Sequence, residues 1–344
     1  MDSQVGRVVP VTGRAGLATA FIKSTGWNTA SRVLVAGDAS NRRYERLSKS
    51  DGSSAILMDA PPEKGEDVRP FVRIAQHLLA QGLSAPLIFH QDTDGGFLVI
   101  EDLGDDLFAR LMAQDPAQQV PLYCAATDML VHLHSAPGLS LPKCDANWLI
   151  EMAAPVFDWY CPIQNPTGRR QFEDTFHAMA QALDHAPKVT ILRDFHAENL
   201  LWLPTRNGVA QVGVLDFQDA LEGHRAYDLV SILQDARRDV STLIETQMIA
   251  HYLAQTSCDP QAFKSAYAFL GIQRNMRILG IFARLCLRDG KTHYVDLIPR
   301  VWGYVMRNLA DPSLSEIATL ITDLLPAPTP TFLEHLKSQC ATAP

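Results

Sequence analysis

Six cysteines (Cys124, Cys144, Cys161, Cys258, Cys286, Cys340) are scattered through the chain without a C-x-x-C pair, so neither a disulfide framework nor a zinc site is indicated. Positive charge is in deficit as well: 30 Lys and Arg against 38 Asp and Glu leave a formal net charge of −8, which argues against a general nucleic-acid surface. No eighteen apolar residues run together, and Met1 to Trp27 lacks the basic, then apolar, then small-residue order of a secretion signal. No membrane span is therefore expected, and the expected location is the cytoplasm. What remains is a chain of 344 residues, 47% hydrophobic and 20% charged, ordinary for a soluble enzyme and long enough for two lobes with sizeable cores.

The stretch Thr190 to Ala220 carries the chemistry. Asp194 is followed five positions later by Asn199, then by an apolar strand (Leu200, Leu201, Trp202), a turn (Pro204 to Gly208) and a second strand (Val212, Val214, Leu215) that ends in Asp216. Phosphoryl transfer needs one carboxylate near the attacking hydroxyl and hard oxygen ligands that hold Mg²⁺ on nucleotide phosphates. Asp194 suits the first role; Asn199 and Asp216 suit the second, placed side by side if the two strands form a hairpin. An isolated Asp-x4-Asn is common by chance, and an Asp after a strand is most often a cap or turn residue. The hairpin and the residues after it reverse those odds.

Upstream, the strand Val33 to Ala36 runs into Gly37-Asp38-Ala39-Ser40-Asn41, followed by strands at Arg42 to Leu47 and Ala55 to Met58. Small side chains at Gly37, Ala39, Ser40 and Asn41 let backbone N–H groups approach a phosphate. The third strand carries Met58 at the position matching a phosphate-binding Lys in the kinases this layout resembles, which leaves Arg42, Arg43 and Lys64 as candidate cations and Glu66 as the candidate partner. A helix from Val68 to Gln81 is predicted, with Asp67 as N-cap and Gly82 as stop. A shorter one, Leu17 to Thr25, places Leu17, Ala20 and Phe21 on one side. Strands at Leu87 to Phe89 and Gly96 to Ile100 lead to Glu101 and Leu103, on the residues alone a strand end with acidic caps; resemblance to a kinase implies a hinge there whose backbone meets an adenine edge.

Beyond this point the pattern turns helical, beginning with Leu122 to His134. The segments Asp145 to Glu151 and Phe157 to Tyr160 form an aromatic and acidic cluster suited to a sugar ring, although aromatic core packing explains Trp148 and Phe157 equally well. Asn147, Glu151, Asp158 and Trp159, with Arg193 and His196 beside Asp194, are the candidate acceptor contacts. Asp228 reads as structural, accepting hydrogen bonds that hold the loop of Asp194. Arg274, Arg277, Arg284 and Arg288 fall largely on one helical face, and Pro326 to Pro330 precedes a last short helix.

Together these motifs resemble the aminoglycoside phosphotransferase and choline kinase family, whose catalytic loop reads H-G-D-x-x-x-x-N and whose metal motif is I/L-D-F/W. Leu192 and Arg193 stand where that family has His and Gly, and no Gly follows Phe217, so the activation segment of a protein kinase is absent. The resemblance implies an α+β, two-lobed protein-kinase-like fold, with an N-lobe over residues 1–104 and a mostly helical C-lobe over 105–344. It implies ATP between the lobes and Mg²⁺ as cofactors. A narrower likeness, over roughly Val33 to Leu309, is to the bacterial anomeric kinases of N-acetylmuramate and N-acetylglucosamine; MDAPP and LRD are shared with that subgroup. It implies a small-molecule amino sugar as partner, phosphorylated at C1 in cell-wall sugar recycling, with no nucleic acid or membrane and a monomeric enzyme. Another hydroxyl acceptor (aminoglycoside, choline, ethanolamine, homoserine) and a catalytically silent nucleotide-binding module stay open.

Overall fold

A computed structural model describes residues 13–35, 41–162 and 165–342. The chain separates into two compact units, one formed by Met1–Asp105 with Gly213–Gln218 and the other by Asp106–Val212 with Asp219–Pro344. The short return segment Gly213–Gln218 thus groups with the first unit, which a single cut after residue 104 does not anticipate.

The first unit is built on a five-stranded antiparallel sheet in the order β1-β2-β3-β5-β4, with β1 Ser31–Val35, β2 Arg43–Ser48, β3 Ser54–Asp59, β4 Ile88–Asp92 and β5 Phe97–Glu101. Side chains alternate between faces along each strand. Leu47, Ala55, Leu57, Phe97 and Val99 point one way and pack with Ala18 and Ile22 of helix α1, Arg14–Ser24. Asp59 shares that face, accepting from Arg14 Nε at 2.6 Å. Ile56 and Met58 consequently face the other side. The α1 stripe differs from the expected one: Leu17 is 49% exposed and Ala20 is exposed, while the i, i+4 pair Ala18 and Ile22 is buried with Phe21 beside it.

Helix α2, Arg69–Ala80, buries Phe71, Val72, Ile74, Ala75 and Leu78, and stops at Gly82, φ 75°. Asp67 supports its start from one residue outside the cap position, accepting from the Arg69 N–H at 2.9 Å; the cap residue itself is Val68. At the β4–β5 turn Gly96 is obligatory, since its φ is +72° and a Cβ there would lie 2.1 Å from the Ala60 carbonyl oxygen.

The second unit is mainly helical: α3 Phe108–Gln114, α4 Gln119–Ser135, α5 Ala146–Ala153, α6 Pro166–Leu183, α7 Ala226–Leu233, α8 Thr242–Ala254, α9 Pro260–Leu287, α10 Ile298–Leu309, α11 Ser315–Leu324 and α12 Pro330–Ser338. A two-stranded antiparallel pair, β6 Lys188–Ile191 with β9 Leu221–His224, brackets the central loop. The hairpin foreseen in that loop is present: β7 Leu200–Trp202 leads through a turn closed by Leu203 N–H to the Gln211 carbonyl at 2.8 Å, and on into β8 Val212–Val214. Helix α9 is the spine of this unit. It is buried from Ala266 to Met276, and Gly280 lets its backbone pass against Pro155, where a Cβ would meet the Pro155 carbonyl carbon at 2.3 Å. A buried polar network fixes the neighbouring helices: the Gln234 amide oxygen accepts from Asn275 (2.7 Å) and Asn308 (2.9 Å), and the Gln234 amide donates to Glu245 (2.9 Å). Such a network specifies one packing arrangement because leaving any member unpaired costs its desolvation.

Candidate active site

The loop from Leu192 to Asn199 follows β6 and is held from beneath by Asp228, on the first turn of α7. Asp228 is fully buried, and its carboxyl accepts from the Leu192 N–H at 2.6 Å and the Arg193 N–H at 2.9 Å. Arg193 sits at φ 67°, the left-handed region where an L-residue costs about 1–2 kcal/mol. That backbone conformation explains a glycine at this position in the resembled motif. In this chain the two bonds to Asp228 offset the strain, and the Arg193 side chain gains a partner, its guanidinium lying 5.6 Å from the centre of the Trp148 ring.

The strained turn carries Asp194 half-buried, with no hydrogen bond or ion pair to its carboxylate among the described residues. Its main-chain carbonyl accepts from Asn199 Nδ2 at 2.9 Å and from the His196 N–H at 3.1 Å. With Nδ2 so engaged, the Asn199 amide oxygen is the atom that can serve as a metal ligand. His196 is buried, and desolvation lowers its pKa to about 4, so it is neutral at pH 7; its Nδ1 has no partner among the described residues.

Of the proposed acceptor contacts, Arg193 and His196 lie in this loop, and Trp148 on α5 meets Arg193. Asn147 and Glu151 are exposed, one helical turn apart on α5, whose start is capped by Asp145 accepting from Trp148 N–H at 3.0 Å. Asp158 and Trp159 lie in the π-helical turn Val156–Tyr160, where Asp158 pairs with Arg169 of α6 at 3.1 Å. Phe157 is core, ring to ring with Phe172 at 5.0 Å.

In the first unit, Gly37, Ala39 and Ser40 fall outside the described residues. Asn41 follows them; its N–H donates to Glu66 Oε1 at 3.2 Å. Arg43 is on the α1 side of the sheet, pairing with Glu45 at 3.1 Å. Arg42 instead pairs with Glu66 at 2.7 Å, each side chain only 13% exposed. Burial lowers the Arg42 pKa, but the hydrogen bond to Glu66 and the neighbouring Tyr44 and Glu66 outweigh it and the net direction is up. At the end of β5 the Glu101 N–H donates to the Leu87 carbonyl at 2.8 Å, and Asp102 anchors the segment through Arg46 Nε at 2.8 Å and Gly104 N–H at 3.1 Å. Asp216, in the return segment of this unit, also lies in the left-handed region at φ 55°, with Gln218 Nε2 donating to its Oδ1 at 2.7 Å. Asn199 and Asp216 each carry a hard oxygen donor of the kind Mg²⁺ takes. No cluster of three or more His, Cys, Asp or Glu side chains that could cage a metal occurs among the described residues.

Sequence reasoning missed the second layer of the loop. Ser231 Oγ donates to the Arg193 carbonyl at 3.1 Å and accepts from Arg274 Nη2 at 2.8 Å, so α7 and α9 both brace the Asp194 turn. Tyr227 packs edge-on to Trp148, ring centres 6.1 Å apart. The one-face spacing of the α9 arginines was a signal for part of this; nothing in the sequence marked Tyr227 or Ser231.

Residues 32–264 match the family described as phosphotransferase enzyme family. A protein named N-acetylmuramate/N-acetylglucosamine kinase from Caulobacter vibrioides is 37% identical, the alignment covering 92% of this chain and 98% of that relative. One of the same name from Neisseria meningitidis serogroup B is 35% identical over 80% of this chain and 84% of its own length. Among solved structures, a choline/ethanolamine kinase family protein from Mesorhizobium loti aligns with TM-score 0.60 at 15% identity, covering 90% of this chain and 97% of that one. A spectinomycin phosphotransferase solved with ADP and spectinomycin aligns with TM-score 0.54 at 14% identity, over 90% of this chain and 98% of its own. The fold is accordingly α+β and protein-kinase-like, as expected from the sequence. No helix among the described residues is long and apolar enough to cross a membrane.

Proposed function

The chain belongs to the phosphotransferase enzyme family, and from that premise we propose that it transfers the γ-phosphate of ATP to the anomeric C1 hydroxyl of N-acetylmuramate, N-acetylglucosamine or both. The observation that carries the reading is the Asp194 carboxylate, unpaired among the described residues and presented by a strained turn that Asp228 clamps through two backbone N–H bonds. A rigid carboxylate with open acceptor capacity is what a positioned base needs. The C1 oxygen bonds to the γ-phosphorus, the bond from that phosphorus to the bridging oxygen breaks, its electron pair leaves with ADP, and the hydroxyl proton passes to Asp194. The anomeric hydroxyl is more acidic than an ordinary alcohol, which lessens the demand on that base.

In this reading Asn199 and Asp216 would hold Mg²⁺, which when bound would neutralise charge on the phosphates. Gly37, Ala39, Ser40 and Asn41 cover the phosphates, and Glu101 and Leu103 meet the adenine. The nucleotide assignment draws support from the ADP-bound relative of the same fold. For the cation that replaces the third-strand Lys, the ion pair favours Arg42, oriented by Glu66, over Arg43, which pairs with Glu45 on the α1 side of the sheet. A cytoplasmic location, where ATP is at hand, goes with this reading.

Phosphorus NMR of the protein incubated with ATP, Mg²⁺ and each sugar tests the reading, with choline, homoserine and an aminoglycoside as further acceptors. A sugar 1-phosphate resonance is expected. Transfer only to another acceptor keeps the kinase and discards the sugar; no transfer to any acceptor makes the chain a silent nucleotide-binding module.

A further inference from the structure

Helix α9 turns two kinds of side chain toward its neighbours, and one arginine between them is unaccounted for. Gln273 Nε2 donates to the Leu149 carbonyl of α5 at 3.0 Å, and Gly280 abuts Pro155, just past the end of that helix. Positions 273, 277 and 280 follow i, i+4, i+7 spacing, so Arg277 lies on the same face, between those two contacts. One turn earlier, Arg274 is instead engaged by Ser231 of α7. Arg277 therefore stands where α9 passes between α5, which carries Trp148, and α7, which carries Tyr227, and those two rings touch. It is half-buried, yet no carboxylate pairs with it and no hydrogen bond holds it among the described residues. Charged groups withdrawn from water are ordinarily paired, and an unpaired guanidinium at such a place is a site for an anion that the protein itself does not provide.

Tyr227 supplies an independent sign. It is 1% exposed, and its hydroxyl has no hydrogen-bond partner among the described residues. A buried O–H left without a partner costs roughly 1–3 kcal/mol, a cost removed when a ligand oxygen accepts from it. Burial raises the Tyr227 pKa, and the charges of Arg277 and Arg274 pull it back. Asp194 also lies within electrostatic range of both Tyr227 and Arg274, so the hydroxyl and the guanidinium belong to the neighbourhood of the candidate base.

We propose that Arg277 and the Tyr227 hydroxyl form a carboxylate-reading subsite beside the Trp148 ring, which receives the lactyl carboxylate of N-acetylmuramate. The inference rests on the amino-sugar reading above and deepens it. N-acetylglucosamine differs by lacking the lactyl ether at O3, so the subsite separates the two sugars and leaves their common ring to other contacts. The arginine on α9 supplies the charge and the tyrosine a directed O–H; Arg274, tied to Ser231, serves the loop of Asp194 instead.

The test measures kcat/KM of the wild type, Arg277→Met and Tyr227→Phe on N-acetylmuramate, its methyl ester and N-acetylglucosamine. Loss of a charge-assisted bond predicts that the N-acetylmuramate to N-acetylglucosamine ratio falls about tenfold or more in Arg277→Met, and by a smaller factor in Tyr227→Phe. The preference for the free acid over its methyl ester should fall in parallel, which a merely structural role would not produce. A ratio unchanged within about twofold, or raised, overturns the subsite. If Arg277→Met melts early, Arg277→Gln and Tyr227→Phe are judged by the same criterion. A wild type that phosphorylates N-acetylglucosamine but not N-acetylmuramate overturns the subsite and keeps the sugar kinase; a wild type active on neither overturns the function on which the subsite rests.

Discussion

Replacing Asp228 by Asn should alter stability in opposite directions at low and high pH. Burial raises the Asp228 pKa from the ordinary 3.8 to about 7; the hydrogen bonds from Leu192 and Arg193 N–H and the charge of Arg274 oppose that rise without cancelling it. Below about pH 4 the carboxyl is protonated both folded and unfolded. Between about pH 4 and 7 only the folded protein keeps the proton, so stability falls as pH rises, and the loss is complete above about 7. At 1.36 kcal/mol per pKa unit the total is about 4 kcal/mol. Asn has no such dependence, but its amide N–H₂ must face one of the two loop N–H groups, which removes a bond worth about 1–3 kcal/mol. Wild type should thus be the more stable at pH 4.5, and the advantage should shrink and reverse by pH 8. Urea melts of both proteins across that range measure it. A difference that stays constant or widens with pH would show the carboxylate ionised throughout and refute the weighting of burial over hydrogen bonding.

Other perturbations separate the two units. Arg42→Met should raise the KM for ATP about tenfold or more with little effect on the KM for sugar, and Glu66→Gln should do the same more weakly, because the partner that orients Arg42 is lost; steady-state kinetics varying each substrate in turn would expose an equal effect on both and so dismiss the cation assignment. Gly280→Ala inserts a methyl 2.3 Å from the Pro155 carbonyl carbon and should destabilise by about 1–3 kcal/mol, read from the urea midpoint; an unchanged midpoint would mean that the α9 contact with Pro155 yields freely.

The parts that were legible in the sequence are those whose meaning is local. Asp194, Asn199, the hairpin and Asp228 lie in one continuous stretch, and their order and spacing reflect backbone geometry the chain must adopt there: a left-handed turn at Arg193, a 3-10 turn to Asn199, a helix start at Asp228. The β-strands were readable because alternation with period two survives when one face is covered by α1. What was illegible depends on neighbours distant in the chain. Leu17 and Ala18 fit helical stripes equally well on α1, and only Leu57, Phe97 and Val99 across the interface select Ala18 with Ile22. Arg42 and Arg43 are adjacent and chemically alike; strand parity sends Arg43 to Glu45 while Arg42 finds Glu66, 24 residues on. Tyr227 is one more apolar-looking position on a buried helix until the missing partner of its hydroxyl is seen in three dimensions.

The proposed mechanism turns on Asp194 accepting the proton of the attacking hydroxyl. It is tested most directly by turnover of Asp194→Asn at saturating ATP and amino sugar, measured beside ADP affinity by calorimetry and beside the urea midpoint. Asparagine preserves the shape of the side chain and removes its basicity. If Asp194 is the base, kcat falls by about a thousandfold or more, with ADP affinity and midpoint close to wild type. Turnover within about tenfold of wild type in a folded, nucleotide-binding variant would contradict it and remove Asp194 from the chemistry.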